Sequence, residues 1–115
     1  MGMVKEKGVS LFEEFLDFGV VAGFTDTRYS GLTIEEDIAG IASSLDVTYD
    51  RVFSLKQVHA SDVIRPKDDP CPIGDSLISD RKREVLIVRT ADCLPLFFYD
   101  PKKRIVGVKI GRAHV

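Results

Sequence analysis

The sequence predicts an α+β fold, a mixed β-sheet with flanking helices. Three observations carry this expectation. Helical periodicity is confined to two segments in the front half of the chain, starting near Ser10 and Ile34. Short runs rich in β-branched and aromatic residues fill most of the rest, with no regular strand–helix–strand alternation between them. At 115 residues, 44% hydrophobic and 30% charged, the chain has an ordinary globular composition and the length of one domain at most.

Each element follows from a local pattern. Residues 10–17 (SLFEEFLD) set Leu11, Phe12, Phe15 and Leu16 on one helical face, and Ser10 with Glu13 fits a capping box, so a short helix is expected. Residues 19–25 (GVVAGFT) form a short apolar run and predict a strand, and the polar, glycine-containing residues 26–32 predict a loop. Thr33 and Glu36 make a second capping box, and Ile38, Ile41, Ala42 and Leu45 follow at helical spacing, which predicts a helix over Ile34–Leu45. Residues 52–58 (VFSLKQV) read as a strand. Residues 66–74 hold Pro66, Pro70 and Pro72 and read as a loop. Residues 84–90 and 94–99 are nearly all apolar, as strands buried on both faces are. Residues 100–103 (DPKK) place a proline at the second position of a turn, so residues 104–109 are expected to pair back as a hairpin.

Composition excludes several functions. A net charge of −2, from 16 Lys and Arg against 18 Asp and Glu, argues against binding nucleic acid through bulk charge. No apolar run approaches the ~20 residues of a membrane span, and residues 1–10 have no signal-peptide pattern. The two cysteines, Cys71 and Cys93, are too few for a disulfide scaffold, so a cytoplasmic location is expected.

Two clusters carry possible chemistry. Lys56-Gln57-Val58-His59 ends one predicted strand, and Thr90-Ala91-Asp92-Cys93 lies between two others. A neutral imidazole and a thiolate are both good zinc ligands, and Asp92 is placed to accept a ligand's ring N–H or to act as a general base. His59 and Cys93 are 34 positions apart, which fits no local zinc-finger spacing, and two ligands do not complete a catalytic site. By itself each is more often an ordinary structural residue, the cysteine as a small buried hydrophobe. Arg28 suits an anionic group such as phosphate, or is simply solvated. Asp75, after Gly74 in the proline-rich stretch, orients a ligand or caps a turn. Lys82-Arg83 and Lys102-Lys103-Arg104 read as solvated charges near turns.

Taken in order, the motifs resemble the YfiH family, also called the laccase-domain or polyphenol oxidase-type family. The matching residues are Gly23-Phe24-Thr25 with Thr27-Arg28 and Gly31, then Leu55-Lys56-Gln57-Val58-His59, then Gly74-Asp75-Ser76-Leu77-Ile78-Ser79, then Thr90-Ala91-Asp92-Cys93-Leu94-Pro95. The resemblance implies a zinc-dependent purine nucleoside phosphorylase, with adenosine deaminase and methylthioadenosine phosphorylase side activities. It implies His59 and Cys93 as two of three ligands to zinc, with copper as the alternative metal. It also implies Arg28 at the phosphate or ribose, Gln57 and Asp75 at the substrate, and Asp92 in proton transfer. The implied partners are a purine nucleoside and phosphate, with neither nucleic acid nor membrane.

The family's third ligand belongs to a HAGWRG motif whose histidine falls near Ile110, where this chain reads Lys109-Ile110-Gly111-Arg112-Ala113-His114-Val115. The string IGRAHV is also the translation of ATC GGA AGA GCA CAC GTC, the leading bases of a sequencing-library adapter. Residues 1–109 are therefore expected to be the N-terminal part of a single, incomplete YfiH-like domain, and residues 110–115 a non-native, adapter-derived tail in which His114 is not a ligand. On this reading the chain is a truncated and inactive phosphorylase. The alternative is a non-enzymatic small metal- or nucleoside-binding domain.

Overall fold

The computed structural model describes residues 2–6, 8–25, 33–56, 62–88 and 94–111. The chain divides into two compact units, residues 1–49 and residues 50–115. The expected α+β class holds, with nine strands and two helices among the described residues.

In the first unit, β1 (Met3–Glu6) and β2 (Val9–Phe12) run antiparallel from Met3 opposite Phe12 to Glu6 opposite Val9. Gly8, at φ 84°, closes this pair, because a two-residue hairpin turn demands positive φ. β3 (Gly23–Thr25) lies on the other side of β2, with Leu11 opposite Gly23. This corrects the helix expected over residues 10–17. Val9 and Leu11 are buried while Ser10 and Phe12 are half-buried, a period of two. Ser10 sits inside a strand, and α1 (Glu13–Leu16) is a single turn whose N-cap, Phe12, makes no side-chain cap. Two ladders outweigh a capping box worth about 1 kcal/mol. The strand expected over residues 19–25 is likewise shortened to its last three residues. The residues before them close the helical turn, as Gly19 N donates to Leu16 O at 2.9 Å and Val20 N to Phe15 O at 2.9 Å.

α2 (Ile34–Leu45) has the expected bounds and the expected cap. Glu36 N donates to Thr33 Oγ1 at 3.2 Å, and Thr33 N donates to Glu36 Oε2 at 3.3 Å. Ile38 and Ala42, one turn apart, are buried, and Asp46 in the left-handed region (φ 53°) ends the helix.

In the second unit, β4 (Arg51–Phe53) pairs in parallel with β7 (Glu84–Leu86). A four-stranded mixed sheet runs in the order β5 (Val63–Ile64), β6 (Ser76–Ser79), β9 (Ile105–Gly111), β8 (Leu94–Asp100). β5 is parallel to β6, and the other neighbours are antiparallel. The core is Phe53, Leu77 and Val108, with Ile64, Leu86 and Phe97 packed around it.

Three expectations change here. The strand over residues 52–58 ends at Phe53, after which Ser54 N and Lys56 N each donate at 2.9 Å to the carbonyls of Pro70 and Pro72. Prolines lack an N–H but accept normally, so the proline-rich loop serves as a one-sided partner. The strand over residues 84–90 is described only as Glu84–Leu86. β8 is not buried on both faces: Leu96 and Phe98 are exposed. The hairpin is as expected, with Asp100 Oδ1 accepting from Lys102 N at 2.9 Å and Lys103 N at 3.3 Å. β9 runs on through buried Ile110 to Gly111. Among the described residues no helix is long and apolar enough to cross a membrane.

Candidate active site

Antiparallel pairing brings the start of β6, the end of β9 and the start of β8 to one end of the four-stranded sheet. Ser76 lies opposite Lys109, Ile110 opposite Pro95, and Leu94 opposite Gly111. β5 begins at the same end, with Val63 opposite Ser76. Lys56 is tied in through a parallel bridge to Ile73, and its carbonyl accepts from Gly74 N at 3.1 Å. One residue on, Asp75 O accepts from Ile110 N at 3.0 Å. Gly74 is buried, and a Cβ there would stand 2.9 Å from Ile64 Cγ1, so the glycine lets the loop lie directly on β5.

Of the residues singled out from sequence, Asp75 is at this end of the sheet and half-buried. Arg28, Gln57, His59, Asp92 and Cys93 lie outside the described residues. Described residues near the two motifs lie at this end: Lys56 begins the first, Asp62 stands three positions past His59 and leads into β5, and Leu94 follows Cys93. Among the described residues no group of three His, Cys, Asp or Glu is placed to hold a metal. Cys71 is an exposed free thiol.

The sequence reading passed over Ser76. It is 5% exposed, and its Oγ is buried with no hydrogen-bond partner. The available signal was a small polar residue at the head of the short strand Ser76–Ser79, directly after the Gly-Asp pair. The ion pairs gather at the other end of β6: Arg65 with Asp80 at 3.2 Å, Arg81 with Glu84 at 3.8 Å, and Arg83 with Asp50 at 3.6 Å. Ser79 Oγ also donates there, to Glu84 Oε1 at 2.5 Å.

Residues 5–114 match the profile of the family described as multi-copper polyphenol oxidoreductase laccase. The chain belongs to that family. A purine nucleoside phosphorylase of Borreliella burgdorferi is 41% identical over 60 residues, which cover 50% of this chain and 26% of that protein. A purine nucleoside phosphorylase of Deinococcus radiodurans is 30% identical over 99 residues, covering 77% of this chain and 38% of that protein. The fold is similar to the crystal structure of the Bacillus licheniformis hypothetical protein YfiH, with a TM-score of 0.75 and 22% identity over 91% of this chain and 49% of that one. The chain thus spans less than two-fifths of the length of these two curated relatives. The resemblance to the YfiH family, drawn from the KQVH and TADCLP motifs, is borne out.

Proposed function

We propose that this laccase-family chain carries the first part of the active site of a zinc-dependent purine nucleoside phosphorylase, working in the cytoplasm on adenosine, inosine or methylthioadenosine, with adenosine deamination as a side activity. The observation that supports this reading is the convergence on one end of one sheet of Lys56, which begins the first motif, Asp62, three positions past it, Asp75, and Leu94, next to the second. The names of the relatives supply the reaction class.

In phosphorolysis a phosphate oxygen forms a bond to C1′ as the bond from C1′ to the purine nitrogen breaks. The electron pair leaves with the purine, which then takes a proton. Arg28 holds the phosphate against C1′ through paired N–H donors, a geometry a guanidinium is built for. Gln57 and Asp75 orient the nucleoside. Asp92 moves the proton. The imidazole of His59 and the thiolate of Cys93 form a donor set that suits zinc, with copper second. A metal held there supplies Lewis-acid polarisation and an activated water for deamination. The described residues at this end add two carboxylates, Asp62 and Asp75, and one buried hydroxyl, Ser76 Oγ, and no three-donor set of their own. His59 and Cys93 are two of the three protein donors a catalytic zinc normally takes, so zinc held by this pair by itself would bind weakly.

Two measurements test this. Zinc titration against a chromophoric chelator should show weak binding that His59→Ala and Cys93→Ala each abolish, and binding untouched by both substitutions refutes the ligand assignment. Purine release from inosine, with and without phosphate, should be seen for the D. radiodurans relative and stay at background for this chain. Equal rates would refute the incomplete site, and no release from either would refute the substrate class. If this chain binds nucleoside without turnover and independently of His59 and Cys93, the non-enzymatic binding domain is the better reading.

A further inference from the structure

β6 buries two serines, and only one of the two hydroxyls has a partner. Ser79, 3% exposed, donates through Oγ to Glu84 Oε1 at 2.5 Å and accepts from Arg81 N at 3.2 Å. Ser76, 5% exposed, stands at the other end of the same strand, the end that holds the candidate site, and its Oγ has neither bond. Buried polar side chains in folded proteins are nearly always paired, because a hydrogen bond left unmade in the interior is a net cost.

The segment that carries Gln57 and His59 is anchored beside Ser76 at both of its ends. On one side, Lys56 bridges Ile73, and its carbonyl accepts from Gly74 N at 3.1 Å. On the other, Val63 lies opposite Ser76, and Asp62 O is 3.8 Å from where a Cβ on Gly74 would stand. His59 is three positions from Lys56 and three from Asp62. Covalent geometry keeps its Cα within about 11 Å of either anchor, and an imidazole reaches several ångströms further. Ser76 falls inside that reach, since paired strands lie about 4.8 Å apart.

We propose that Ser76 is a positioning residue of the zinc site, whose Oγ accepts a hydrogen bond from the ring N–H that His59 retains when its other nitrogen binds metal. This rests on the reading of His59 and Cys93 as ligands. A histidine that binds a metal through one nitrogen regularly gives its other N–H to a nearby acceptor, which fixes the tautomer and the plane of the ring. A serine hydroxyl is such an acceptor, and this one has no competing partner. The hydroxyl thus destabilises the unloaded fold and strengthens the loaded one.

Thermal melting and zinc titration of Ser76→Ala, taken together, test this. Without metal, the variant should melt a few degrees above the unsubstituted chain, because a buried unpaired hydroxyl is gone. Its zinc affinity should fall by about tenfold or more, as on loss of a partner that orients a ligand. Ser76→Thr, which retains a hydroxyl, should bind zinc like the unsubstituted chain. Ser79→Ala is the contrast, with a lower melt and an unchanged zinc affinity. A metal-free Ser76→Ala melt that is unchanged or lower overturns the proposal, since the hydroxyl then serves the fold itself. A folded Ser76→Thr that binds zinc as weakly as Ser76→Ala overturns it too. If His59→Ala abolishes zinc binding and Ser76→Ala leaves it intact, the positioning role fails while the ligand reading stands. If neither substitution changes zinc binding, the ligand reading fails and the positioning role with it.

Discussion

A side chain at position 23 has nowhere to go: a Cβ there would run into the carbonyl oxygen of Ser10 on the neighbouring strand. Gly23 belongs to the Gly-Phe-Thr motif that the sequence reading assigned to the family pattern, and the fold gives it a packing reason, the close approach of β3 to β2. Gly23→Ala is expected to cost about 1–3 kcal/mol by overpacking, seen as a fall of several degrees in Tm, and an unchanged melt would contradict the close approach. Ser76 shows the converse. A buried hydroxyl with no partner costs about 1–3 kcal/mol of desolvation, and Ser76 Oγ is such a group. Asp75 was legible as a candidate because it stands in a Gly-Asp-x-Leu motif. Ser76 occupies the variable position of that motif, so pattern reading gave it no weight.

At the scale of elements, α2 was legible to the residue because its signals are local: a reciprocal cap at Thr33 and Glu36, then Ile38 and Ala42 one turn apart. Thr33→Ala should remove about 1 kcal/mol of stability while the helix retains its bounds, which a thermal melt with far-ultraviolet circular dichroism would report, and no loss would show that the cap is redundant. The hairpin of β1 and β2 was hidden although its signal was present, a Lys-Gly pair between two alternating segments. The Ser10–Glu13 pattern competed for the same residues, and a local cap loses to two ladders that form only when distant strands arrive. β6 was hidden for a related reason. With serine at both ends and burial on both faces, Ser76–Ser79 has neither alternation nor a continuous apolar run.

For the whole molecule, the order of motifs was enough to reach the family, and the register that makes neighbours of the described residues beside them was not legible. Lys56, Asp75, Leu94 and Ile110 are neighbours through register, a non-local property that no spacing along the chain encodes. Register also separates the second unit's strands by how they come to pair. β8 and β9 share seven paired positions and are joined through residues 101–104 alone, so their ends meet at little loop-closure cost. β5 and β6 share two paired positions, Val63 with Ser76 and Ile64 with Leu77, across a much longer stretch of chain. The hairpin is therefore the segment expected to form first in folding and to open last. Hydrogen–deuterium exchange should find the slowest amides in β9, which is held on both sides, and the fastest strand amides in β5. The reverse order would mean that the unit assembles from its long-range pairings inward.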